Sequence, residues 1–218
     1  MSRIIVFGGH GRIALLLAPL LVARGDEVTG VIRNPDHSSD VEAGGAKALI
    51  ADVENMDVEA LAEIIRGHDA VVWSAGAGGG SAERTYAVDR DAAQRSMDAA
   101  ERASVRRYVM VSWLGSTADH GVPEGDSFFP YADAKWAADE HLRGTGLEGT
   151  ILAPGTLTFD DPTGRIQIDP DGRGAVSRAD VAAVIAASLH EPCTVGRTIR
   201  FGNGDVDSAA PIAEALAC

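Results

Sequence analysis

A tyrosine and a lysine stand four residues apart in the segment FFPYADAKWAADEHL, at Tyr131 and Lys135. Residues at positions i and i+4 of a helix share one face, so both side chains are expected to point into one cleft. A lysine close to a tyrosine stabilises the phenolate and lowers the pKa of the phenol. The pair therefore predicts proton transfer near neutral pH. The alternative is a solvated helix face, where Tyr-x-x-x-Lys is common by chance.

Serine hydroxyls that could assist this chemistry follow a predicted strand at 106–112. The segment YVMVSWLGS places Ser112 at the end of the strand and Ser116 further along the loop. Either hydroxyl can polarise a substrate carbonyl, and the sequence does not decide between them. We predict Tyr131, Lys135 and Ser112 as the catalytic group, with Ser116 as the alternative to Ser112.

A glycine-rich turn near the N-terminus predicts a dinucleotide site. Gly8, Gly11 and Ala14 form G-x-x-G-x-x-A between a predicted strand at 3–7 and a predicted helix at 12–24. Small residues there allow a tight turn and let a pyrophosphate approach the main chain. The helix N-terminus then offers free N–H groups and a partial positive charge. The alternative is a tight turn that binds no ligand.

The end of the second predicted strand, at 28–32, bears on the choice of nucleotide. An NAD site usually has an acidic residue there to bind the ribose 2′-hydroxyl, whereas this chain has Arg33. Arginine suits a 2′-phosphate through bidentate hydrogen bonds, and Arg12 in the glycine loop is a second candidate contact. NADP is therefore favoured over NAD. The alternative for Arg33 is an exposed arginine on a loop.

Two further strand ends contribute candidate contacts. Asp52 follows the strand at 47–51, where it can meet the adenine amine or cap the next helix. The strand at 69–73 ends in Ser74, Ala75 and Gly76, which are small enough for a ribose to lie against the backbone; the glycines after them can form a flexible loop over the site. The predicted cofactor contacts are Gly8, Gly9, His10, Gly11, Arg12, Ile13, Arg33, Asp52, Val53, Ser74, Ala75, Gly76, Lys135 and Pro154.

The elements that carry these residues alternate along the chain. Apolar runs at 3–7, 28–32, 47–51, 69–73, 106–112 and 149–153 alternate with helical spacing at 12–24, 57–66, 83–103 and 131–143. This alternation predicts an α/β fold with a doubly wound, mostly parallel Rossmann sheet. We expect a single domain, 1–218, in which 154–218 adds a small substrate-side lobe with a helix at 177–192, the strand RTIRFG and the terminal helix SAAPIAEALA.

Composition excludes several partners. The formal net charge of -13 argues against nucleic acid and anionic membrane surfaces, because phosphate-binding faces are normally basic. The apolar segment 13–23 is too short to span a bilayer. Cys193 and Cys218 do not predict a disulfide framework and favour a reducing cytoplasm. The six histidines lack metal-ligand spacing, so we predict no metal. The partner that we expect is a small-molecule substrate.

Together these motifs resemble the short-chain dehydrogenase/reductase superfamily, in particular its small atypical NAD(P)-binding members of the NmrA-like or epimerase-like kind. The resemblance spans essentially the whole chain, including YADAKWAAD and the APGTL at 153–157. It implies dinucleotide binding by the glycine loop, with proton transfer and ribose contact by Tyr131 and Lys135. The chain departs from the family at Ala153, where an arginine usually precedes the Pro-Gly pair.

The resemblance implies an NADP-dependent oxidoreductase that transfers hydride between the nicotinamide and a small carbonyl or alcohol. Tyr131 would then protonate the developing alkoxide. We expect the substrate between the loop 113–130 and the lobe after Pro154, where Phe128 and Phe129 either wall a pocket or anchor the loop. Two alternatives stay open: an NAD(P)-binding sensor without turnover, and a sugar-nucleotide epimerase, for which the chain is short.

Overall fold

A nine-stranded sheet forms the centre of the molecule in the computed structural model, which describes residues 1–79, 81–172, 174–205 and 207–218. Its strand order is β11-β8-β10-β6-β5-β4-β1-β2-β3. The strands from β10 to β3 pair in parallel, and β8 and β11 pair antiparallel at one edge. The strands are β1 (Arg3–Phe7), β2 (Glu27–Ile32), β3 (Lys47–Ile50), β4 (Ala70–Trp73), β5 (Arg107–Val111), β6 (Glu148–Pro154), β7 (Thr156–Thr158), β8 (Arg165–Ile168), β9 (Ala175–Ser177), β10 (Thr198–Gly202) and β11 (Ala210–Pro211).

Helices cover both faces of this sheet. One core contains Ile4 of β1 with the apolar sides of α1 and α7, and the other contains Ile5 with α3, α5 and α6. Successive residues of a strand point to opposite faces, which is why RIIVF reads as continuously apolar. The predicted doubly wound Rossmann sheet is confirmed. The helices are α1 (Arg12–Ala23), α2 (Ser38–Ala43), α3 (Val58–Ile65), α4 (Ala82–Thr85), α5 (Ala93–Arg102), α6 (Phe129–Gly144), α7 (Arg178–His190) and α8 (Ile212–Leu216).

The prediction of a single helix over 83–103 is wrong in one respect. A π-helical segment, Tyr86–Ala92, separates α4 from α5. Such segments hold more residues per turn than an α-helix and are frequent at functional sites. Here the segment carries Asp89, which is only 2% exposed and accepts a hydrogen bond from the Ala77 amide at 2.9 Å.

The chain after Pro154 extends the main sheet. Three of its strands (β8, β10 and β11) join the nine-stranded sheet, whereas β7 and β9 form a separate parallel pair. Ser177 caps α7, and Asp180 accepts hydrogen bonds from the Thr163 and Gly164 amides, each at 2.9 Å. The expected terminal helix is shorter than SAAPIAEALA, because β11 precedes α8.

The two cysteines are paired, which the sequence did not predict. Cys193 lies in a short 3-10 helix after α7, and Cys218 follows α8. Their Cα atoms are 5.4 Å apart although 25 positions separate them in sequence. No helix in the described part of the chain is long and apolar enough to cross a membrane.

We predict that α3 depends on Asp57, which caps it, and not on Asp52. The Asp57 carboxylate accepts a hydrogen bond from the Ala60 amide at 2.8 Å. Asp57→Ala should therefore lower the free energy of unfolding by about 1 kcal/mol, measured by urea denaturation. Asp52→Ala serves as the matched control and should have little effect. Equal losses in the two variants would contradict this assignment.

Candidate functional site

The turn after β1 is enclosed by backbone on two sides. Gly8 has a φ of +80°, and a Cβ atom on it would lie 2.7 Å from the Ala75 Cα atom. A Cβ atom on Gly9 would lie 2.7 Å from the Gly30 Cα atom in β2. Only glycine fits at these two positions without a shift of the backbone. The carboxyl ends of β1, β2 and β4 therefore converge where the strand order reverses, which is where nucleotides bind in open α/β sheets.

The N-terminus of α1 is open to an anion. Gly11 is its N-cap and supplies no side-chain hydrogen bond, and the first turn carries no acidic residue. The first amides of a helix have no partner within the helix, and they attract phosphate groups. Together with the close backbone approach at Gly8, this arrangement fits the diphosphate of a dinucleotide.

The basic residues expected at the 2′-phosphate lie in two different places. The Arg33 Nη1 atom is 3.3 Å from a Glu54 carboxylate oxygen, and the Arg84 Nε atom is 3.4 Å from the same oxygen. Arg12 instead lies over the ring of Phe159, with its Cζ atom 4.8 Å from the ring centroid. Glu54 thus competes with any phosphate for the Arg33 guanidinium.

The His10 ring lies beside the segment that follows β2. Its Nε2 atom is 2.8 Å from an Asp40 carboxylate oxygen, and the ring stacks on His37 at a centroid distance of 3.7 Å. This pair of imidazoles flanks the glycine loop on the side of β2. The His10 side chain is therefore held by Asp40 and His37.

Other predicted contacts lie along the same edge of the sheet. Asp52 is exposed and accepts a hydrogen bond from the Asn55 side chain at 2.7 Å. Ile13 is 8% exposed and packs in the core, so only its backbone faces the turn. Pro154 is buried, and its carbonyl accepts a hydrogen bond from Leu114 at 2.8 Å. Val53 packs against the core that contains Ile5. Ser74 and Ala75 lie next to Gly8, and Gly76 lies next to the Asp89 carboxylate. Gly80 of the following loop lies outside the described residues.

Both candidate serines bind a carboxylate that the sequence analysis did not identify. The hydroxyls of Ser112 and Ser116 donate to the same oxygen of Asp139, at 2.5 Å and 2.6 Å. Asp139 is fully buried in α6, and its other oxygen has no hydrogen-bond partner within the described residues. Burial raises the pKa of the Asp139 carboxyl, with partial opposition from Lys135 and the two hydroxyls.

Lys135 is 1% exposed and lies between α6 and the sheet. Its ammonium donates to the Val111 carbonyl at 2.7 Å and contacts the Met110 sulfur at 3.4 Å. Within the described residues it makes no hydrogen bond to Tyr131. Its positive charge acts instead on the buried carboxyls of Asp89 and Asp139.

The pKa of Tyr131 is raised, contrary to the effect expected from Lys135. The main cause is burial, and the negative charges of Asp89 and Asp139 add to it. The Tyr131 ring packs against Phe128 at 5.1 Å and against Trp113 at 6.4 Å between centroids. Tyr131 therefore carries its proton at neutral pH, as an ordinary tyrosine does, and its raised pKa makes the phenol a weaker acid than usual.

Asp89 and Asp139 are the groups that sequence reasoning missed. Asp139 follows Lys135 by four residues, just as Lys135 follows Tyr131, so all three share one face of α6. That continued spacing could have revealed Asp139. Asp89 left no comparable signal, because the groups that it faces, the Ala77 amide and Lys135, come from distant segments of the chain.

A separate cavity opens at the opposite edge of the sheet. It has a volume of about 270 Å³, and its lining includes Ile4, Arg107 and His190. Arg107 donates to the carbonyls of Glu148 and Ser188, each at 2.6 Å, and burial lowers its pKa to about 10. These bonds join β5, β6 and α7, so the residues at this edge support the fold.

The sheet order, the glycine turn and the open helix end define a Rossmann-type NAD(P)-binding protein. The profile of the NAD(P)H-binding family matches residues 8–192, and the chain belongs to that family. This match confirms the resemblance inferred from the motifs.

Known relatives resemble the chain over nearly its whole length. It is 35% identical over 217 residues to the uncharacterized sugar epimerase YhfK of Bacillus subtilis, with 98% of each chain covered. A Bacillus halodurans protein named as a candidate NAD-dependent epimerase/dehydratase superimposes with a TM-score of 0.90, at 29% identity and 99% coverage of both chains. The oxidoreductase ylbE of Lactococcus lactis matches with a TM-score of 0.86 and 29% identity, over 98% of this chain and 94% of that one. These names include both epimerases and an oxidoreductase.

We predict that Asp139 weakens the fold as the pH rises. Its folded-state pKa is raised, so its contribution to stability is complete below the unfolded-state value of 3.8 and is lost as the carboxyl ionises. Asp139→Asn should therefore gain stability relative to wild type from pH 4 towards pH 8 in urea unfolding. Exposed Asp161→Asn is the control and should follow the wild-type profile. An unchanged difference across the range would contradict the assignment.

Proposed function

We propose that this protein is an NADP-dependent reductase of the short-chain type that acts on a small carbonyl compound. The observation that carries the proposal is the shared face of α6, which carries Tyr131 together with buried Lys135 and buried Asp139. The bound nicotinamide would supply hydride to the carbonyl carbon. Tyr131 would donate its proton to the carbonyl oxygen as the alkoxide develops.

The buried carboxyl beneath the serines affects what Ser112 can do. While Asp139 is ionised, the Ser112 hydroxyl donates to it and is not available to a substrate. A protonated carboxyl has its own O–H donor and can reverse that bond. Since burial raises the pKa of Asp139, its protonated form frees the Ser112 hydrogen to polarise the substrate carbonyl. Ser116 occupies the same carboxylate oxygen and would keep Asp139 in position.

Arg33 supports the choice of NADP. It stands at the end of β2, next to the glycine turn, where an NAD site usually has an acidic residue. The ion pair with Glu54 would have to yield to a 2′-phosphate, which offers the guanidinium a doubly charged, multidentate partner. Use of NAD is the alternative outcome.

Cofactor binding without turnover is the second candidate function. It is favoured by the aromatic packing of Phe128 and Trp113, which lie 5.1 Å apart and cover Tyr131. An epimerase that retains its cofactor is a third candidate, supported by the names of two relatives. A reductase consumes NADPH during turnover, an epimerase does not, and a sensor converts no substrate.

We expect Tyr131→Phe to lower the turnover of NADPH with a reducible carbonyl or quinone by about 100-fold or more, because the proton donor is lost. The measurement is nicotinamide absorbance over a substrate panel, with NADPH affinity measured in parallel. Tyr86→Phe is the control, since it removes a tyrosine of the π-helical segment that stacks on Arg90. Full activity of Tyr131→Phe would remove the catalytic assignment.

We expect Arg33→Ala to weaken NADPH binding by about ten- to a hundredfold while leaving NADH binding unchanged, because charge-assisted hydrogen bonds to the 2′-phosphate are lost. Calorimetric titration measures both affinities. Arg66→Ala is the control, because Arg66 is exposed and pairs with Glu63 away from this edge. A variant that keeps its preference for NADPH would show that another group reads the 2′-phosphate.

A further inference from the structure

Two arginines from different helices meet on one exposed aromatic ring. The Arg178 Cζ atom lies 4.1 Å from the centroid of Phe159, and the Arg12 Cζ atom lies 4.8 Å from it. Phe159 follows β7 and is 74% exposed. We call Arg12 and Arg178 the arginine pair, and the Phe159 ring, which contacts both of them, the spacer. Cation–π contact with one ring holds the two guanidiniums at a set separation.

The charges of this pair are not balanced locally. Among the described residues, neither guanidinium has a carboxylate oxygen within 4.0 Å. Burial lowers the pKa of Arg178, and the like charge of Arg12 lowers it further. In a chain of net charge -13, two arginines that repel each other without an acidic partner favour an anionic ligand.

The position of the pair indicates which anion. Arg12 is the first residue of α1, whose opening turn has no acidic residue and no side-chain cap. Arg178 opens α7, but that helix end is already occupied by Ser177 and Asp180. Arg178 therefore contributes its side chain only. Its Nη1 atom donates to the Thr158 carbonyl at 2.9 Å, which fixes the guanidinium to the segment that carries Phe159.

We propose that Arg178 and Arg12 together bind the diphosphate of the dinucleotide at the N-terminus of α1, with Phe159 as the spacer between them. The proposal rests on the cofactor site described above and adds Arg178 and Phe159 to it. A planar guanidinium can donate two parallel hydrogen bonds to one phosphate, and two guanidiniums can serve both phosphates of a diphosphate. Unlike Arg33, the pair recognises a group that NADPH and NADH share.

The test compares three probes that share a diphosphate: NADPH, which also has a 2′-phosphate; NADH, which lacks the 2′-phosphate; and ADP-ribose, which lacks both the 2′-phosphate and the nicotinamide. Calorimetric affinities are measured for wild type, Arg178→Gln and the control Arg66→Gln. We expect Arg178→Gln to weaken all three probes by a similar factor of about ten or more, because each loses charge-assisted bonds to its diphosphate. The control should bind all three as wild type does.

A second pair of variants separates binding from folding. Arg178→Lys keeps the charge but loses the planar donor set, and should give an intermediate loss. Phe159→Leu replaces an exposed side chain and removes only the cation–π contacts. It should weaken the binding of the same three probes by about two- to fivefold. Circular dichroism checks that each variant is folded.

The outcomes separate this proposal from the proposed function. Wild type that binds NADPH and ADP-ribose, with no change in Arg178→Gln, overturns the role of the arginine pair and leaves the cofactor site standing. A loss for NADPH alone would assign Arg178 to the 2′-phosphate and would also overturn the proposal. Wild type that binds none of the probes would overturn both proposals.

Discussion

Steric closeness at the top of β1 is the constraint on which the site depends. Gly8 and Gly9 lie so near Ala75 and Gly30 that a single methyl group on either would collide with backbone. That closeness draws the ends of three parallel strands together, and it lets the chain turn at once into α1. The first amides of α1 are consequently left facing outward without a capping side chain. An acidic protein thus presents a local positive end to a polyanion.

A second constraint lies where α6 packs against the sheet. Two buried carboxyls, those of Asp89 and Asp139, share the field of one buried ammonium, that of Lys135. Burial favours the neutral form of an acid, and a single cation cannot fully offset two anions in a poorly solvated region. The pKa of each carboxyl is therefore raised. The negative charges of the same two carboxyls add to the rise in the pKa of Tyr131, so the polar interior and the proposed acid are electrostatically linked.

The sequence predicted features that short-range patterns encode. The apolar run of β1, the glycines after it and the shared face of Tyr131 and Lys135 each follow from a few neighbouring residues, and the Rossmann sheet follows from their alternation. Features that depend on distant contacts were missed. The bond between Asp89 and the Ala77 amide joins the helix to the loop after β4, and the joint binding of Ser112 and Ser116 to Asp139 requires α6 against β5. The pairing of Cys193 with Cys218 requires the return of the C-terminus. The assignment of catalytic and cofactor residues stays a prediction.

The π-helical segment ties the local chain length to the polar interior. A deletion between Asp89 and α5 would rotate Asp89 around the helix axis relative to α5 and break its bond to the Ala77 amide, which would leave that N–H group without a partner in the interior. The loop after β4 would then lose the anchor that holds Gly76 against the carboxylate. Insertions and deletions are usually tolerated between secondary-structure elements, but here the intolerant position falls inside a helix, several residues after the loop that it shapes.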